Sequence, residues 1–428
     1  MKRPVFLVLA ALVTALFTEP LPLSAQAAAG GTGGAGGGEG VLLRFKHKKG
    51  DNLRILGTVQ EDVKYNGRLN HHATIVNRVT LHIDDTDAAG RGHYDGTFMT
   101  SESSTSRVAE NFSWGEEFKS AYWRDTLGSY DISDQYFMPV VRDLPLLPEQ
   151  AVKPGDSWTA AGYEAQDLRR TFGIPEPVKV PFTAEYEYLR DEEGQSSDSS
   201  RSRKTFQVLS CKYNLYFESP RPANPSGDYP VTTMGYSHRI IYWDKDKGMI
   251  DHSDETFRIV IETALGDSYD FSGTTHEEVT EFQRTATEEA VKEVEKKVAE
   301  LGIRNVSVKK SEKGLTLSIE NIQFEADSAL LQAGEKEKLR KIAQIIASYP
   351  DNDLLISGHT AMAGTEKARQ ALSEERADAV AGYLIQLGVR DKYHVFTQGF
   401  GGRVPVASNK TEEGKAKNRR VEITILDK

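Results

Sequence analysis

Between residue 41 and about residue 272 the apolar positions recur at every second residue. Leu69, Ala73, Ile75, Val79, Leu81 and Ile83 share one parity, while His72, Thr74, Arg78, Thr80 and His82 take the other. Successive side chains of a strand point to opposite faces, so this pattern predicts a long strand with one dry and one wet face. Asn66-Gly67, just before it, is a strong two-residue hairpin signal. The same alternation returns at Phe182, Ala184, Tyr186 and Tyr188, at Leu209, Cys211, Tyr213, Leu215 and Phe217, and at Phe257, Ile259 and Ile261. A Pro-rich crossing over residues 139–154 divides the region, and its Pro154-Gly155-Asp156 reads as a tight turn over Trp158. The polar, Ser-rich stretch 191–204 reads as a hairpin tip.

From Thr285 the period becomes helical. Thr285 and Glu288 have capping-box spacing, Val291, Val294, Val298 and Leu301 form an apolar stripe, and Gly302 ends it. Residues 306–319 alternate through a Lys313-Gly314 turn. A second helix is expected over 328–349, with Leu331, Leu339, Ile342 and Ile346 inward, and a third over 365–387. Strands are expected at 354–356, 395–399 and 421–426. The predicted fold class is therefore α+β and multidomain. Antiparallel β subdomains at 41–148 and 149–275 precede a layered α/β module at 276–428 that includes its lead-in helix.

The first 40 residues follow a different logic. Residues 1–27 read as a secretory signal: Lys2 and Arg3, an apolar core from Val5 to Phe17, and Ala25-Gln26-Ala27 as a small-residue cleavage site. Residues 28–40, nearly all Gly and Ala, read as a flexible tether. The expected location is the periplasm, with outer-membrane association and no transmembrane segment after cleavage. Cys211 is the single cysteine of the 428 residues, so no disulfide forms within the chain. A net charge of −10 argues against nucleic acid as partner.

Candidate chemistry is sparse. His71, His72, His82 and His93 match no metal-ligand spacing, and neither a metal nor another cofactor is expected. Asp84-Asp85 and Glu116-Glu117 point to opposite faces on a strand and do not pair as a catalytic couple. Ser113-Trp114-Gly115 lacks the pattern of a nucleophile elbow. Cys211 lies on a dry parity. Aromatic residues such as Tyr122, Trp123, Tyr130, Tyr136, Phe137, Tyr236, Tyr242 and Trp243 read as core, with a concave surface for an apolar ligand as the alternative. The charged parity opposite the apolar one argues against a lipid-facing barrel. No catalytic residue is assigned.

One stretch carries a more specific likeness. Asn321-Ile322-Gln323-Phe324, Gly358-His359-Thr360, Leu372-Ser373, Arg376-Ala377, Gln398-Gly399-Phe400-Gly401 and Asn418-Arg419-Arg420-Val421 occur in an order and spacing that resembles the OmpA-like domain of bacterial cell envelopes, over about 283–428. The resemblance implies a mixed α/β module that binds the peptide stem of peptidoglycan without catalysis. It places Thr360, Arg376, Arg419 and Arg420 at the ligand. In the family, an Asp after Gly-His-Thr takes the amino group of a diamino acid, an Arg fifteen residues on takes its carboxylate, and an Asn between them assists. Here Arg376 keeps the Arg place, Ala361 stands for the Asp and Arg369 for the Asn. The sequence thus predicts a structural or interaction module whose peptidoglycan binding is lost or altered. Intact wall anchoring, another envelope protein as partner, and carriage of an apolar ligand by the β region are the alternatives.

Overall fold

The computed structural model describes residues 40–105, 110–197, 201–221, 227–281, 285–322, 324 and 331–427. The expected signal and all but the last residue of the tether lie outside the described residues. In chain order the elements begin with β1 (Asn52–Tyr65), β2 (Arg68–Thr86), β3 (Gly92–Thr105), β4 (Glu110–Ser113), β5 (Glu117–Arg124), β6 (Tyr130–Ile132), β7 (Val141–Arg142) and β8 (Ser157–Gln166). They continue with α1 (Arg169–Phe172), β9 (Val178–Gln195), β10 (Arg203–Glu218), β11 (Pro230–Asp244), β12 (Met249–Thr263) and β13 (Ser268–Glu281). The remainder comprises α2 (Glu288–Glu300), β14 (Val306–Ser311), β15 (Gly314–Glu320), α3 (Ala333–Ile346), β16 (Leu354–Gly358), α4 (Glu366–Gln386), β17 (Val395–Gly399), α5 (Glu412–Asn418) and β18 (Arg420–Leu426).

Two compact units emerge. Among the described residues, the first comprises those up to Ala73, Val79–Phe98 and those between Phe118 and Thr280; the second comprises Thr74–Arg78 and those between Met99 and Glu117 and from Glu281 onward. In the first, β8 to β13 form an antiparallel meander, and β13 continues to β1 and β1 to β2. The alternation read from the sequence sets its faces. Phe182, Ala184, Tyr186, Tyr188, Leu209, Cys211, Tyr213, Phe257, Ile259 and Ile261 are buried, while Glu185, Glu187, Lys212 and Asn214 between them are exposed. Trp158 stacks on Tyr186 at 5.2 Å and donates its indole N–H to Leu146 O at 2.8 Å.

A charged network threads this apolar interior. Arg239 Nε donates to Glu255 at 2.9 Å and lies 3.3 Å from Glu277 through Nη1; Ser237 donates to Glu255 at 2.9 Å. Tyr213 and Gln166 donate to Glu164 at 3.1 and 2.9 Å. Burial raises both carboxyls, Glu164 to about 7 and Glu255 to about 8, the latter despite the opposing pull of Arg239.

The second unit is a single mixed sheet in the order β14-β15-β18-β16-β17-β4. The first three pairings are antiparallel; β16 with β17 and β17 with β4 are parallel. The apolar faces of α2, α3 and α4 close one core, containing Val294, Val298, Leu339, Ile342, Ile346, Ile356, Val380, Leu384 and Ile423. Three local expectations are corrected. The α2 cap is Thr287, whose side chain accepts from Ala290 N; the backbone N–H groups of Thr285 and Ala286 bind the Asp427 carboxylate instead. The helix expected over 328–349 begins at Ala333 and ends at Ile346, and 328–330 lie outside the described residues. Arg78, assigned to a wet parity, is buried, because its guanidinium pairs with the fully buried Asp353 and donates to Asp427 O at 2.5 Å. An isolated carboxylate at Asp353 would be costly, and Arg78 and His394 (2.8 Å) compensate it.

Candidate ligand pocket of the α/β unit

The pocket lies where two loops meet α4. Strand β16 ends at Gly358, and a Cβ there would come within 2.0 Å of Ser373 O, so glycine lets α4 press onto the sheet. The Ser373 hydroxyl donates to Gln370 O and accepts from Gly401 N, both at 2.8 Å. Thr360 N in turn donates to Gly401 O at 2.8 Å, which ties the loop after β16 to the loop after β17. Thr365 caps α4 by accepting from Ala368 N at 3.2 Å. Asn418, buried at the end of α5, accepts from Val406 and Ala407 N at 2.8 and 3.0 Å and donates to Ala407 O and Asn409. That clamp fixes the backbone from which Arg419 leaves.

On this frame the sequence-predicted residues separate. Arg376 is half-buried with its Cζ 4.9 Å from the centre of the Phe324 ring. It has no carboxylate partner among the described residues, and its Nε is buried without a hydrogen bond. Burial first, and then the charge of Arg419, lowers its pKa from the usual arginine value. Thr360 is 7 % exposed, and its hydroxyl is likewise unpartnered. Arg369 donates to Gly364 O at 2.5 Å and leaves its Nε buried and unbonded. Ala361 is buried. Arg420 serves the fold instead: it is 2 % exposed, pairs with Glu422 at 2.9 Å and donates to Val404 O at 3.1 Å. His359, which sequence reasoning passed over, is buried against Phe400 (5.0 Å, parallel rings) with both ring nitrogens unpartnered. Burial and the nearby Arg420 push it down to about 3, so it is neutral at physiological pH.

Helix α4 sorts its charges by face. Arg369 and Arg376 are seven residues apart and share a side, two turns apart along the axis. Glu374, Glu375 and Asp378 point the other way, where with Trp114 and Arg403 they line a cleft of about 420 Å³. These three acids of the helix are therefore turned from its arginines, while Glu366 lies in the first turn, three residues before Arg369.

The remaining candidates do not converge. His72 pairs with Asp62 at 2.5 Å, His82 with Asn52 at 2.8 Å and His93 with Asp84 at 2.6 Å. Asp85 is bound by Lys49, and Glu117 by Trp114 and Lys313. Burial pushes the Cys211 thiol up to about 12. Of the aromatic residues, Tyr122 and Trp243 are buried, while Trp123, Tyr130, Tyr136, Phe137, Tyr236 and Tyr242 are partly so.

A mixed sheet backed by α2, α3 and α4, with Arg369 and Arg376 near the mouth of β16, defines the class: a layered α/β module. The chain carries an OmpA-family domain, matched by the family profile at residues 323–419. The probable lipoprotein YiaD of Escherichia coli is 42% identical over 105 residues, 24% of this chain and 48% of that protein. The peptidoglycan-binding protein ArfA of Mycobacterium tuberculosis is 42% identical over 104 residues, 24% of this chain and 32% of the relative. Among solved structures, an outer membrane protein of Borrelia burgdorferi is 39% identical, covering 28% of this chain and 96% of that one at a TM-score of 0.24. The chain spans about half or less of the length of these curated relatives. No described helix is long and apolar enough to cross a membrane.

Proposed function

We propose that the chain is a non-catalytic periplasmic protein of the cell envelope whose OmpA-family domain no longer holds the zwitterionic head of a diamino acid in the manner of its relatives. The observation that carries this reading is the pocket itself. Arg376 remains to receive a carboxylate, but a methyl group at Ala361 stands where an ammonium needs an acceptor, and Arg369 adds a cation. A charge-assisted hydrogen bond contributes roughly 1.5–3 kcal/mol, so its loss alone weakens binding on the order of ten- to a hundred-fold. The relatives support the envelope setting: ArfA is named for peptidoglycan binding and another relative as outer membrane protein A. The β region is read as the interaction module, with its aromatic residues as core.

The test is co-sedimentation with purified sacculi, comparing the wild-type chain with Ala361→Asp/Arg369→Asn. The doubly substituted chain should pellet with sacculi at least ten-fold more tightly. Equal binding by the wild type would restore ordinary wall anchoring as the function.

A further inference from the structure

We propose that the loops at 359–365 and 400–411, together with α5, form a docking face for an anionic phospholipid surface. The inference goes beyond the reading above and does not depend on whether stem peptide is held. Residues 359–369 and 400–419 carry seven Lys and Arg against three Glu, in a chain whose net charge is −10. Lys415 pairs with Glu412 at 2.7 Å, whereas Lys367, Lys410 and Lys417 are exposed and pair with no described acid. A positive face on an acidic protein orients it toward an anionic surface.

The same loops expose apolar side chains. Met362 is 53% exposed, Val404 44% and Val406 52%. Among the described residues from 285 onward, no other large apolar side chain is left so exposed. The three ride on one bonded frame. Met362 N donates to Asn409 Oδ1 at 3.0 Å, and Asn418 donates to the same oxygen at 3.0 Å. Asn418 also accepts from Val406 N at 2.8 Å, and Val404 O accepts from Arg420 at 3.1 Å. The Met362 sulfur lies over Gly402, where a Cβ would come within 2.7 Å of it. Cations alone would suit any polyanion. Apolar side chains set among them gain nothing from a hydrated wall polymer, but they gain from the boundary between headgroups and acyl chains. The combination therefore selects a lipid surface over a glycan or a peptide stem.

The experiment is co-flotation of the full chain with vesicles of equal parts phosphatidylglycerol and phosphatidylcholine, set against phosphatidylcholine alone. Binding to the anionic vesicles should be tighter by about ten-fold or more, and should fall as sodium chloride rises. Lys410→Glu/Lys417→Glu should weaken it by about ten-fold or more. Met362→Ser/Val406→Ser should weaken it several-fold and leave the salt dependence unchanged. All four positions are exposed, so both variants should unfold as the wild type does. Every variant shares the rest of the chain, residues 1–40 included, so contributions from elsewhere cancel. An environment-sensitive dye on Val406→Cys should shift to the blue on anionic vesicles. The same dye on Lys296→Cys, at an exposed position of α2, should not, and the buried Cys211 takes no label. Equal binding to both kinds of vesicle overturns the proposal, as does undiminished binding by Lys410→Glu/Lys417→Glu. So does a loss of sacculus co-sedimentation in that variant with vesicle binding intact, which assigns the face to wall polymer. None of these results alters the comparison of wild type with Ala361→Asp/Arg369→Asn.

Discussion

Each unit buries a cluster of charge, and the two clusters are built on opposite terms. In the β unit, the Glu255 and Glu277 carboxylates meet the Arg239 guanidinium, and Glu164 is held by Tyr213 and Gln166. In the α/β unit, Arg376 lies beside another arginine with its Nε unbonded. What is closed in the first cluster is charge: Arg239 has its counter-charges within the chain, although Gln166 Oε1 is buried and unbonded, whereas Arg376 has no carboxylate partner among the described residues. The closed cluster therefore reads as part of the fold and the open one as a place for something from outside.

The sharpest way to break this contrast is to remove the cation from the closed cluster. Above about pH 8, where Glu255 is ionised, Arg239→Met leaves its carboxylate buried without its counter-charge, and removing one partner of a buried pair costs about 3–5 kcal/mol. Denaturant unfolding followed by tryptophan fluorescence checks it, since Trp123, Trp158 and Trp243 all belong to the β unit. A loss below about 1 kcal/mol would mean that the network is solvated and gives no contrast.

Next in size is a pH effect. The folded-state pKa of Glu164 is raised from 4.5 to about 7 by burial. The folded chain therefore holds a proton that the unfolded chain releases, and the group's contribution is fully present below pH 4.5. It is lost as pH rises from 4.5 to 7 and changes little above that. At 1.36 kcal/mol per unit the loss is about 3 kcal/mol. Glu164→Gln should remove that part of the slope, leaving the part due to Glu255. Parallel stability-versus-pH curves for the two chains would show that Glu164 is not protonated in the fold.

How much of this was legible in the sequence follows from what local pattern can encode. Alternation at Phe182–Tyr188 and Leu209–Leu215 placed the dry faces correctly, because strand parity is a property of neighbouring residues. The motifs around Gly358, Arg376 and Asn418 located the α/β module and its pocket. Arg78 was misplaced because its partners Asp353 and Asp427 lie some 275 residues or more away in sequence. No periodicity announces that Phe112 and Ser113 pair with Phe396 and Thr397 on the edge of the C-terminal sheet. The Glu164 and Arg239 network was equally hidden, since polar residues on a dry parity reveal themselves only when their cross-strand neighbours are known. Arg420 looked equivalent to Arg419 in sequence; as the first residue of β18 it shares a strand face with Glu422 and pairs with it, while Arg419 is the C-cap of α5.

The smallest effect is expected at the open cluster and is the most discriminating. Arg376→Met removes a cation that no described carboxylate balances, while a thioether keeps contact with Phe324. The lost cation–π contact is worth about 0.5–1 kcal/mol at a site of this kind, and relief from Arg419 offsets it, so stability should move by less than about 1 kcal/mol. The variant should differ in its response to ligand instead. An anion that binds only the folded state raises the melting temperature of the wild type as its concentration grows, and the substituted chain should gain nothing. Thermal unfolding with increasing phosphate, set against sodium chloride of matched ionic strength, separates this from general screening. A loss of several kcal/mol on substitution, with identical responses to phosphate, would place Arg376 among the residues that hold the fold together and would dissolve the difference between the two clusters.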